Sequence, residues 1–249
     1  MENEQTETAI GRNGVRELLR SGKDIDKIFV AKGAAGAIIS EIKAEARKRS
    51  IVVTEVSSSR LDELAGGSNH QGIIALVSQV DYADIDDIFS LAEERNEKPF
   101  IVICDEISDP HNLGAVIRCA EGAGCHGVII PKRRAVGVSG VVAKASAGAV
   151  AHLPIVKVVN LARCVDSLKK RGIWVFSAEA GGKSCYDSDL DLPCAVIMGS
   201  EGRGVSKLLR DKSDFTVSIP MYGKVNSFNV STAAAVILCE AAKQRHAKQ

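Results

Sequence analysis

The sequence predicts an α/β protein of two units, the larger of which holds a parallel β-sheet. Apolar runs of strand length alternate with helix-forming segments along most of the 249 residues, an order typical of layered α/β domains. From residue 99 onward these runs are continuously apolar, as a parallel sheet covered by helices on both faces requires. Between the units, residues 81–98 hold seven acidic and two basic side chains. We therefore expect a small unit, an acidic connection and a larger unit.

The N-terminal unit, residues 9–78, is expected to form a compact α/β/α domain. Its predicted helices and strands alternate in the order NGVRELLRSG, DKIFVAKG, GAIISEIKAEARKRS, IVVTEVS, SSRLDELAG and GIIALVSQV. Residues 1–80 hold 11 basic and 11 acidic side chains, so a role in binding a polyanion would need a local patch. Residues 47–49 are one candidate, although a basic helix end needs no ligand, because the helix dipole favours it. Residues 79–98 are predicted to be an acidic linker with one short helix around Ile85 to Glu94.

The C-terminal unit, residues 99–249, is predicted to contain six strands with helical segments between them. The strands are expected at FIVIC, GVIIP, IVKVV, GIWVFSAE, CAVIMG and FTVSIP. This unit carries a net charge of +6, with 19 basic and 13 acidic side chains. The excess suits a polyanionic substrate, but solvated surface lysines would give the same count.

Composition argues against several classes of protein. No apolar run approaches the roughly 20 residues that span a bilayer, and the polar, acidic segment Met1 to Thr8 is not typical of a secretory signal. Seven cysteines are scattered without a C-x-x-C pair, and five histidines are dispersed. We expect a cytoplasmic protein with free thiols, no metal site and no membrane partner.

Two glycine-rich segments differ in their context. The segment Gly122 to Gly127 matches G-x-G-x-x-G, but it follows a helix and precedes a strand, the reverse of a dinucleotide fingerprint. It is therefore interpreted as a helix end and a turn. The segment MGSEGRGVSKLL follows a strand and precedes a helix. Its glycines would let the backbone approach a ligand. A tight turn alone would use glycines in the same way, but it would not need Glu201.

The segment DEISDPHNLGAVIRCAEGAG places two polar side chains on one helix. Asp109 and Pro110 are typical of an N-cap followed by the first helical residue. Asn112 then lies in the first turn, after a strand's carboxyl end, where α/β sheets bind ligands. Arg118 follows six residues later, about 120° away around the helix axis. It could extend to solvent, or it could be held inward to meet an anion or a hydroxyl group.

A polar loop near the C-terminus holds more polar groups than a connection requires. The stretch IPMYGKVNSFNVSTAAAVILCE, residues 219–240, begins as the end of a strand and finishes as an apolar helix. Asn226, Ser227 and Asn229 surround Phe228 between them. Because one Ser or Asn is enough to cap a helix, the loop is a candidate ligand site.

Three of these segments together resemble the three motifs of SPOUT-class RNA 2′-O-ribose methyltransferases of the SpoU/TrmH branch. They are NLGAVIR, IMGSEGRGV and SIPMYGKVNSFNVSTAAAV. In the N-terminal unit, GRNGVRELL and LDELAGGSNHQGIIALV resemble the L30e-like substrate-binding domain of one subgroup. That subgroup methylates a guanosine of large-subunit (23S) ribosomal RNA. The resemblance extends from about Ala9 to Arg245.

The resemblance implies a fold, a cofactor and partners. The fold is an α/β-knot domain with a deep C-terminal trefoil knot, an exception to the rule that chains are unknotted, preceded by the L30e-like domain. The knot would bind S-adenosylmethionine, the partner would be RNA, and the protein would be a homodimer. The family pattern carries the cofactor contacts over to Met198, Gly199, Ser200, Gly202, Ile219, Met221 and Phe228. Phe228 stands where the family more often has Leu, and Asn226 stands where it more often has Ser.

By the same resemblance, the catalytic residues are Arg118, Asn112, Glu201, Ser227 and Asn229. Arg118 is the family's candidate for activating the 2′-hydroxyl. Because arginine is essentially never deprotonated in proteins, we expect it to bind the adjacent phosphate and stabilise developing alkoxide charge. The other four would position it and the ribose.

The expected function is therefore S-adenosylmethionine-dependent 2′-O-methylation of RNA, with 23S ribosomal RNA as the substrate. Two alternatives stay open: a transfer-RNA 2′-O-methyltransferase, and a non-catalytic RNA-binding or ribosome-assembly protein. A nucleotide- or NAD-binding enzyme is disfavoured, because no glycine fingerprint stands in a strand–turn–helix context.

Overall fold

The computed structural model describes residues 8–247, which form two compact units. One comprises the described residues up to Asp81 together with residues 137–141, and the other comprises residues 82–136 and those from Val142 onward. Residues 1–7, which include most of the acidic N-terminal segment, lie outside the described residues.

The first unit is a mixed four-stranded sheet with helices on both faces. Its elements are β1 (Thr8–Ile10), α1 (Gly11–Arg20), β2 (Ile25–Ala31), α2 (Ala37–Lys48), β3 (Val53–Val56), α3 (Ser58–Ala65) and β4 (Ile73–Val77). The strand order is β1-β4-β2-β3, with β2 and β3 parallel and the other pairs antiparallel. Helices α1 and α2 share one apolar cluster with Ile28, and α3 shares another with Ile74. The three helices and three strands expected from the sequence are present; β1 was not predicted, because three residues show too little alternation.

The basic segment at the end of α2 has a structural use for one of its side chains. The Arg49 guanidinium donates hydrogen bonds to the carbonyl oxygens of Leu19, Gly22 and Lys23 at 2.8–3.3 Å. These bonds satisfy backbone acceptors at the end of α1. Arg49 is therefore committed to the fold, which weakens the interpretation of residues 47–49 as a patch for a polyanion.

The second unit contains the remaining strands and helices. Its strands are β5 (Phe100–Cys104), β6 (Gly127–Pro131), β7 (Ile155–Val158), β8 (Trp174–Ser184), β9 (Cys194–Met198) and β10 (Phe215–Ser218). Its helices are α4 (Ile85–Glu94), α5 (Pro110–Gly122), α7 (Leu161–Lys170), α8 (Lys207–Lys212) and α9 (Val230–His246), together with the end of α6 (Gly140–Ala145).

The six strands form one parallel sheet in the order β10-β8-β9-β5-β6-β7. On one face, α4, α7 and α8 pack against Ile103, Ile129 and Ile197, which are fully buried. Helix α5 packs against α9, and the Arg245 guanidinium of α9 stacks on the ring of Phe100, 4.5 Å from its centroid. The predicted parallel sheet with continuously apolar strands is confirmed.

The acidic stretch differs from the expected linker, because its helix packs into the second unit. Helix α4 spans Ile85–Glu94 and begins with a capping box between Asp84 and Asp87. Its Ile88 is fully buried beside Gly127, where a Cβ atom would lie 2.5 Å from the Ile88 Cγ1. The acidic side chains point to solvent, while the apolar face joins the core. The excess of acidic residues predicted a solvent-exposed linker. The stretch is amphipathic, however, and its apolar side chains allow the helix to pack.

Within the described part of the chain, no helix is both long and apolar enough to cross a membrane. Across residues 8–247, no three His, Cys, Asp or Glu side chains are grouped so that they could hold a metal ion.

Candidate active site

The candidate site lies at the carboxyl edge of the parallel sheet. Strand β5 ends at Cys104, β9 ends at Met198 and β10 ends at Ser218. Because all strands run in the same direction, these ends meet at one edge, where open α/β sheets bind ligands. The three segments singled out in the sequence follow these three ends.

After β9, the chain makes a closed turn that requires glycine. A Cβ atom on Gly199 would collide with the backbone of Gly204 and Val205. Gly202 and Gly204 have φ angles of +76° and +66°, a region that disfavours other residues. Ser200 and Gly204 exchange two backbone hydrogen bonds of 3.1 and 2.9 Å. These two hydrogen bonds close the turn. Because several of its residues are glycines, few side-chain atoms cover its inner surface.

Two carboxylates that sequence reasoning missed fix the end of this turn. Asp105, buried at the end of β5, accepts a hydrogen bond from the Ser206 backbone N–H at 2.7 Å. Glu179 on β8 accepts one from the Val205 N–H at 2.6 Å. Asp105 could have been noticed, since it directly follows a strand at the ligand edge. Glu179 had no local signal, because its role depends on the adjacency of β8 and β9.

A cavity of about 580 Å³ lies between the glycine turn, the end of β8 and the loop of residues 219–229. This volume is within the usual range for small-molecule sites. Val217, Ile237 and the exposed ring of Phe228 form part of its apolar wall. The structure places all seven predicted cofactor-binding residues on the wall: Met198, Gly199, Ser200, Gly202, Ile219, Met221 and Phe228.

A hydrogen-bonded network of three side chains adjoins the cavity. Glu201 lines the cavity, and its Oε1 accepts from Asn112 Nδ2 at 2.8 Å and from Asn229 Nδ2 at 2.5 Å. Asn229 Nδ2 also donates to Asn112 Oδ1 at 3.1 Å. The glycine turn, the start of α5 and the start of α9 are therefore joined by one carboxylate and two amides.

Helix starts hold the two amides in place. Asp109 is the N-cap of α5, with Pro110 as the first helical residue, as predicted, and Asn112 is buried in the first turn. Asn229 is the N-cap of α9, and its Oδ1 accepts from the Ser231 backbone N–H at 2.8 Å. With the amide oxygen of Asn229 used for capping, its NH₂ group is left to donate to Glu201.

The remaining two predicted catalytic residues have different surroundings. Ser227 is exposed and lines the cavity. Arg118 is exposed on α5 and does not line it. It lies about 9 Å further along the helix axis than Asn112 and about 120° around it. Among the described residues, Arg118 has no hydrogen-bond or ion-pair partner. One chain thus brings together Asn112, Glu201, Ser227 and Asn229, but not Arg118.

The cysteines are not placed for chemistry at this site. Cys104 is buried beneath the edge, where desolvation, and secondarily the nearby charge of Asp105, raise the pKa of its thiol to about 12. The thiol is therefore protonated at neutral pH and is a poor nucleophile. All seven cysteines are free, and five of them are buried.

Comparisons with known proteins agree on one group of enzymes. Residues 99–239 match the family model described as the SpoU rRNA Methylase family. Residues 8–83 match the model described as RNA 2′-O ribose methyltransferase substrate binding. The chain is 41% identical over 244 residues to YacO of Bacillus subtilis (strain 168), named for the TrmH family of tRNA/rRNA methyltransferases. That alignment covers 98% of each protein.

Solved structures of RNA-modifying enzymes and methyltransferases have a similar fold. The SpoU methyltransferase AviRb from Streptomyces viridochromogenes, in complex with AdoMet, is similar with a TM-score of 0.62 and 24% identity. The match covers 96% of this chain and 90% of AviRb. The TrmH/SpoU tRNA modifying enzyme of A. aeolicus is similar with a TM-score of 0.55 and 27% identity, covering 66% of this chain and 84% of that one.

Proposed function

Since the chain belongs to the SpoU rRNA methylase family, we propose that it transfers the methyl group of S-adenosylmethionine to a ribose 2′-hydroxyl of RNA. The proposed substrate is a guanosine of 23S ribosomal RNA in the cytoplasm. The observation that carries this proposal is the Asn112–Glu201–Asn229 network beside a cavity of about 580 Å³. A binding protein without catalysis would not need a fixed carboxylate at the edge of such a cavity.

The cavity suits S-adenosylmethionine in shape and charge. Ile219, Met221 and Phe228 offer an apolar surface to an adenine ring. The turn at Gly199, which has no room for a Cβ atom, lets backbone groups approach the ligand closely. Glu179 and Glu201 on the wall complement a ligand that carries positive charge. When bound, the cofactor supplies an electrophilic methyl group whose leaving group is a neutral thioether.

With such a methyl donor, the task of the protein is to hold the 2′-hydroxyl in line and stabilise its developing charge. Two amide donors fix Glu201 through one carboxylate oxygen, Oε1. We assign Glu201 to accept the hydrogen bond of the ribose hydroxyl and to take up its proton as the oxygen–methyl bond forms. Asn112, Asn229 and Ser227 position Glu201 and the ribose. Because DNA lacks the 2′-hydroxyl, this arrangement favours RNA.

Arg118 enters the proposal through a homodimer. It is exposed and about 9 Å along α5 from Asn112, so it does not reach the cavity of its own chain. In a symmetric dimer, a residue outside one site can complete the site of the second subunit. We assign Arg118 to the second subunit's site, where it binds the phosphate next to the target ribose.

The N-terminal unit supports ribosomal RNA over transfer RNA. Its residues match a substrate-binding model, whereas the A. aeolicus tRNA modifying enzyme matches only 66% of the chain. We assign residues 9–78 to RNA recognition. The deep trefoil knot in residues 99–249 is part of the same proposal, supported by the resemblance of the three motifs.

Cofactor binding and methyl transfer test the proposed function directly. Calorimetric titration is expected to show saturable binding of S-adenosylmethionine and none of NAD. With cofactor labelled in its methyl group, the label is expected in ribose 2′-O-methyl nucleosides of total RNA from cells that lack the gene. Saturable NAD binding without S-adenosylmethionine binding, or label found only on bases, would contradict the proposal.

A further inference from the structure

A basic loop that the proposed chemistry does not use lies at the same edge of the sheet. Strand β6 ends at Pro131, and Lys132, Arg133 and Arg134 follow it directly. Strand β6 pairs with β5, which pairs with β9 on its other side. Two strand spacings, about 10 Å in total, therefore separate the start of this basic loop from the start of the glycine turn. Neighbouring nucleotides of a bound strand can bridge such a distance.

The loop is fixed to the segment that follows β5. Arg134 Nη1 forms an ion pair with Glu106 Oε1 at 3.2 Å, and the Val136 N–H donates to the Ile107 carbonyl oxygen at 3.1 Å. Arg134 and Glu106 have φ angles of +61° and +55°. Non-glycine residues keep such conformations only where their surroundings impose them, and they cluster at functional sites. One ion pair and one backbone hydrogen bond thus connect the basic loop to the segment that precedes α5.

The acidic and basic side chains of this region differ in whether they have a partner. The acidic side chains of the facing segment are engaged: Asp105 accepts from the Ser206 N–H, Glu106 pairs with Arg134, and Asp109 accepts from the His111 N–H. Within residues 8–247, Lys132 and Arg133 have no such partner for their side chains. Lys132 is half-buried and Arg133 is exposed. Two cationic groups therefore remain free at an edge whose nearby carboxylates are occupied.

We propose that Lys132 and Arg133 form a phosphate-binding site for the RNA strand, next to the nucleotide that is methylated. This inference rests on the proposed function and adds a substrate contact to it. Phosphate contacts of this kind set the register of a nucleic acid without reading its sequence. Arg133 supplies the planar donor fork that fits phosphate oxygens, and Lys132 supplies a point charge. Arg134 holds the loop through Glu106 and is a positioning residue.

The test compares charge reversals at the two edges of the sheet. Arg133→Glu is the test variant, and Lys170→Glu is its matched control. Lys170 is exposed at the end of α7, and its side chain has no partner among the described residues. Because α7 returns the chain to the amino edge of the sheet, Lys170 lies at the opposite edge from Arg133. Affinity for an unmodified transcript of bacterial 23S ribosomal RNA is measured by filter binding between about 50 and 200 mM salt. Cofactor affinity and melting temperature are measured on the same samples.

Arg133→Glu is expected to weaken RNA binding about tenfold or more. The slope of log K against log salt concentration is expected to become less steep by about 0.7–0.9, because one phosphate contact is lost. Cofactor affinity is expected to stay at the wild-type value, and Lys170→Glu is expected to change neither quantity. If Arg133→Glu melts at a lower temperature than wild type, Arg133→Gln is measured as well, because it removes the charge without reversing it. This variant must still reduce the salt dependence of RNA binding. If Arg133→Glu and Lys170→Glu have the same RNA affinity and the same salt dependence while the wild type is active, the proposed phosphate site is wrong. A wild type without methyl transfer would instead overturn the proposed function.

Discussion

Asn229 performs two tasks at once, and a pair of substitutions separates them. Its Oδ1 caps α9, while its Nδ2 donates to Glu201 and Asn112. Asn229→Ala removes both functions, so we expect a stability loss of about 1 kcal/mol together with a large loss of methyl transfer. Asn229→Ser keeps a capping oxygen but lacks the NH₂ group. It should melt close to wild type while its single-turnover rate falls about 10- to 100-fold, which is less than the roughly 10²–10³-fold cost of losing a donor to the reacting atoms, because Asn112 still donates to Glu201. A single-turnover rate of Asn229→Ser equal to that of wild type would show that the NH₂ group of Asn229 has no part in the reaction.

The buried His126 gives the stability of the second unit a pH dependence. Its Nδ1 accepts from the Phe100 N–H at 3.0 Å, so the proton of the neutral ring lies on Nε2, 3.0 Å from Glu97 Oε2. Burial lowers the pKa of this imidazole below its ordinary 6.5, although Glu97 opposes the shift. A lowered folded-state pKa means that the unfolded chain gains its proton first as the pH falls. The free energy of unfolding should therefore decrease as the pH falls through 6.5.

The measurement is the melting temperature between about pH 7.5 and 5.5, above the range in which carboxylates titrate. His126→Gln should show less pH dependence than wild type, although it is less stable overall. His152→Gln, a change at an exposed residue, should keep the wild-type profile. A wild-type profile in the His126 variant would contradict this assignment.

At the scale of elements, the glycine turn after β9 allows two substitutions of similar size to be compared. A Cβ atom at Gly199 would collide with the backbone of Gly204, whereas a Cβ at Gly202 meets no atom within 4 Å. Gly202→Ala carries only the strain of a positive φ, of order 1–3 kcal/mol. We expect Gly199→Ala to lose cofactor binding by calorimetry and Gly202→Ala to keep measurable affinity. Equal affinities would show that the turn does not contact the cofactor.

Helix α4 determines where the chain can be cut without destabilising the second unit. Its Ile88 and Ala92 are buried in the second unit, so a chain that starts at residue 99 would expose the apolar surface that they cover. Residues 82–249 should fold, dimerise and bind cofactor with wild-type affinity. Residues 99–249 should melt at a clearly lower temperature or aggregate. Equal melting temperatures for the two fragments would show that α4 adds nothing to the unit.

Features that depend on neighbouring residues could be predicted from the sequence. Contacts between residues that are far apart in sequence could not. The short helix expected around Ile85 to Glu94 and the Asp109–Pro110 cap each depend on residues that are close together in sequence, and the structure has both. The carboxylates of Glu179 and Asp105 support the glycine turn across strands far apart in sequence. Such contacts depend on strand order, which single-residue patterns do not specify. The direction of Arg118 likewise depends on how α5 sits on the sheet.

For the whole molecule, the position of Arg118 leads to a prediction about the proposed homodimer. Arg118→Ala should reduce methyl transfer about 10²–10³-fold, on the order of losing one charge-stabilising donor. Cofactor affinity should barely change, because Arg118 does not line the cavity. Arg118→Lys should not restore the full rate, because an ammonium lacks the planar donor fork.

Mixing two inactive variants distinguishes action in the same chain from action across the dimer. In a dimer of Arg118→Ala with Gly199→Ala, the first subunit keeps its cavity and the second keeps its arginine. If Arg118 serves the second subunit's site, random reassociation should restore about a quarter of wild-type activity, since half of the dimers then carry one complete site. No recovery, with mixed dimers verified, would place Arg118 at its own chain's site or outside the chemistry.

The central claim, methylation of a ribose in 23S ribosomal RNA, is tested most directly by mapping ribose methylation in total RNA. Cells with and without the gene are compared, and purified protein with S-adenosylmethionine is added to RNA from the cells without it. We expect one ribose methylation in the large-subunit RNA to be absent without the gene and to be restored by the wild-type protein. Asn229→Ser should restore it much more slowly. Identical methylation maps, or a lost methyl group that lies on a base, would contradict the account.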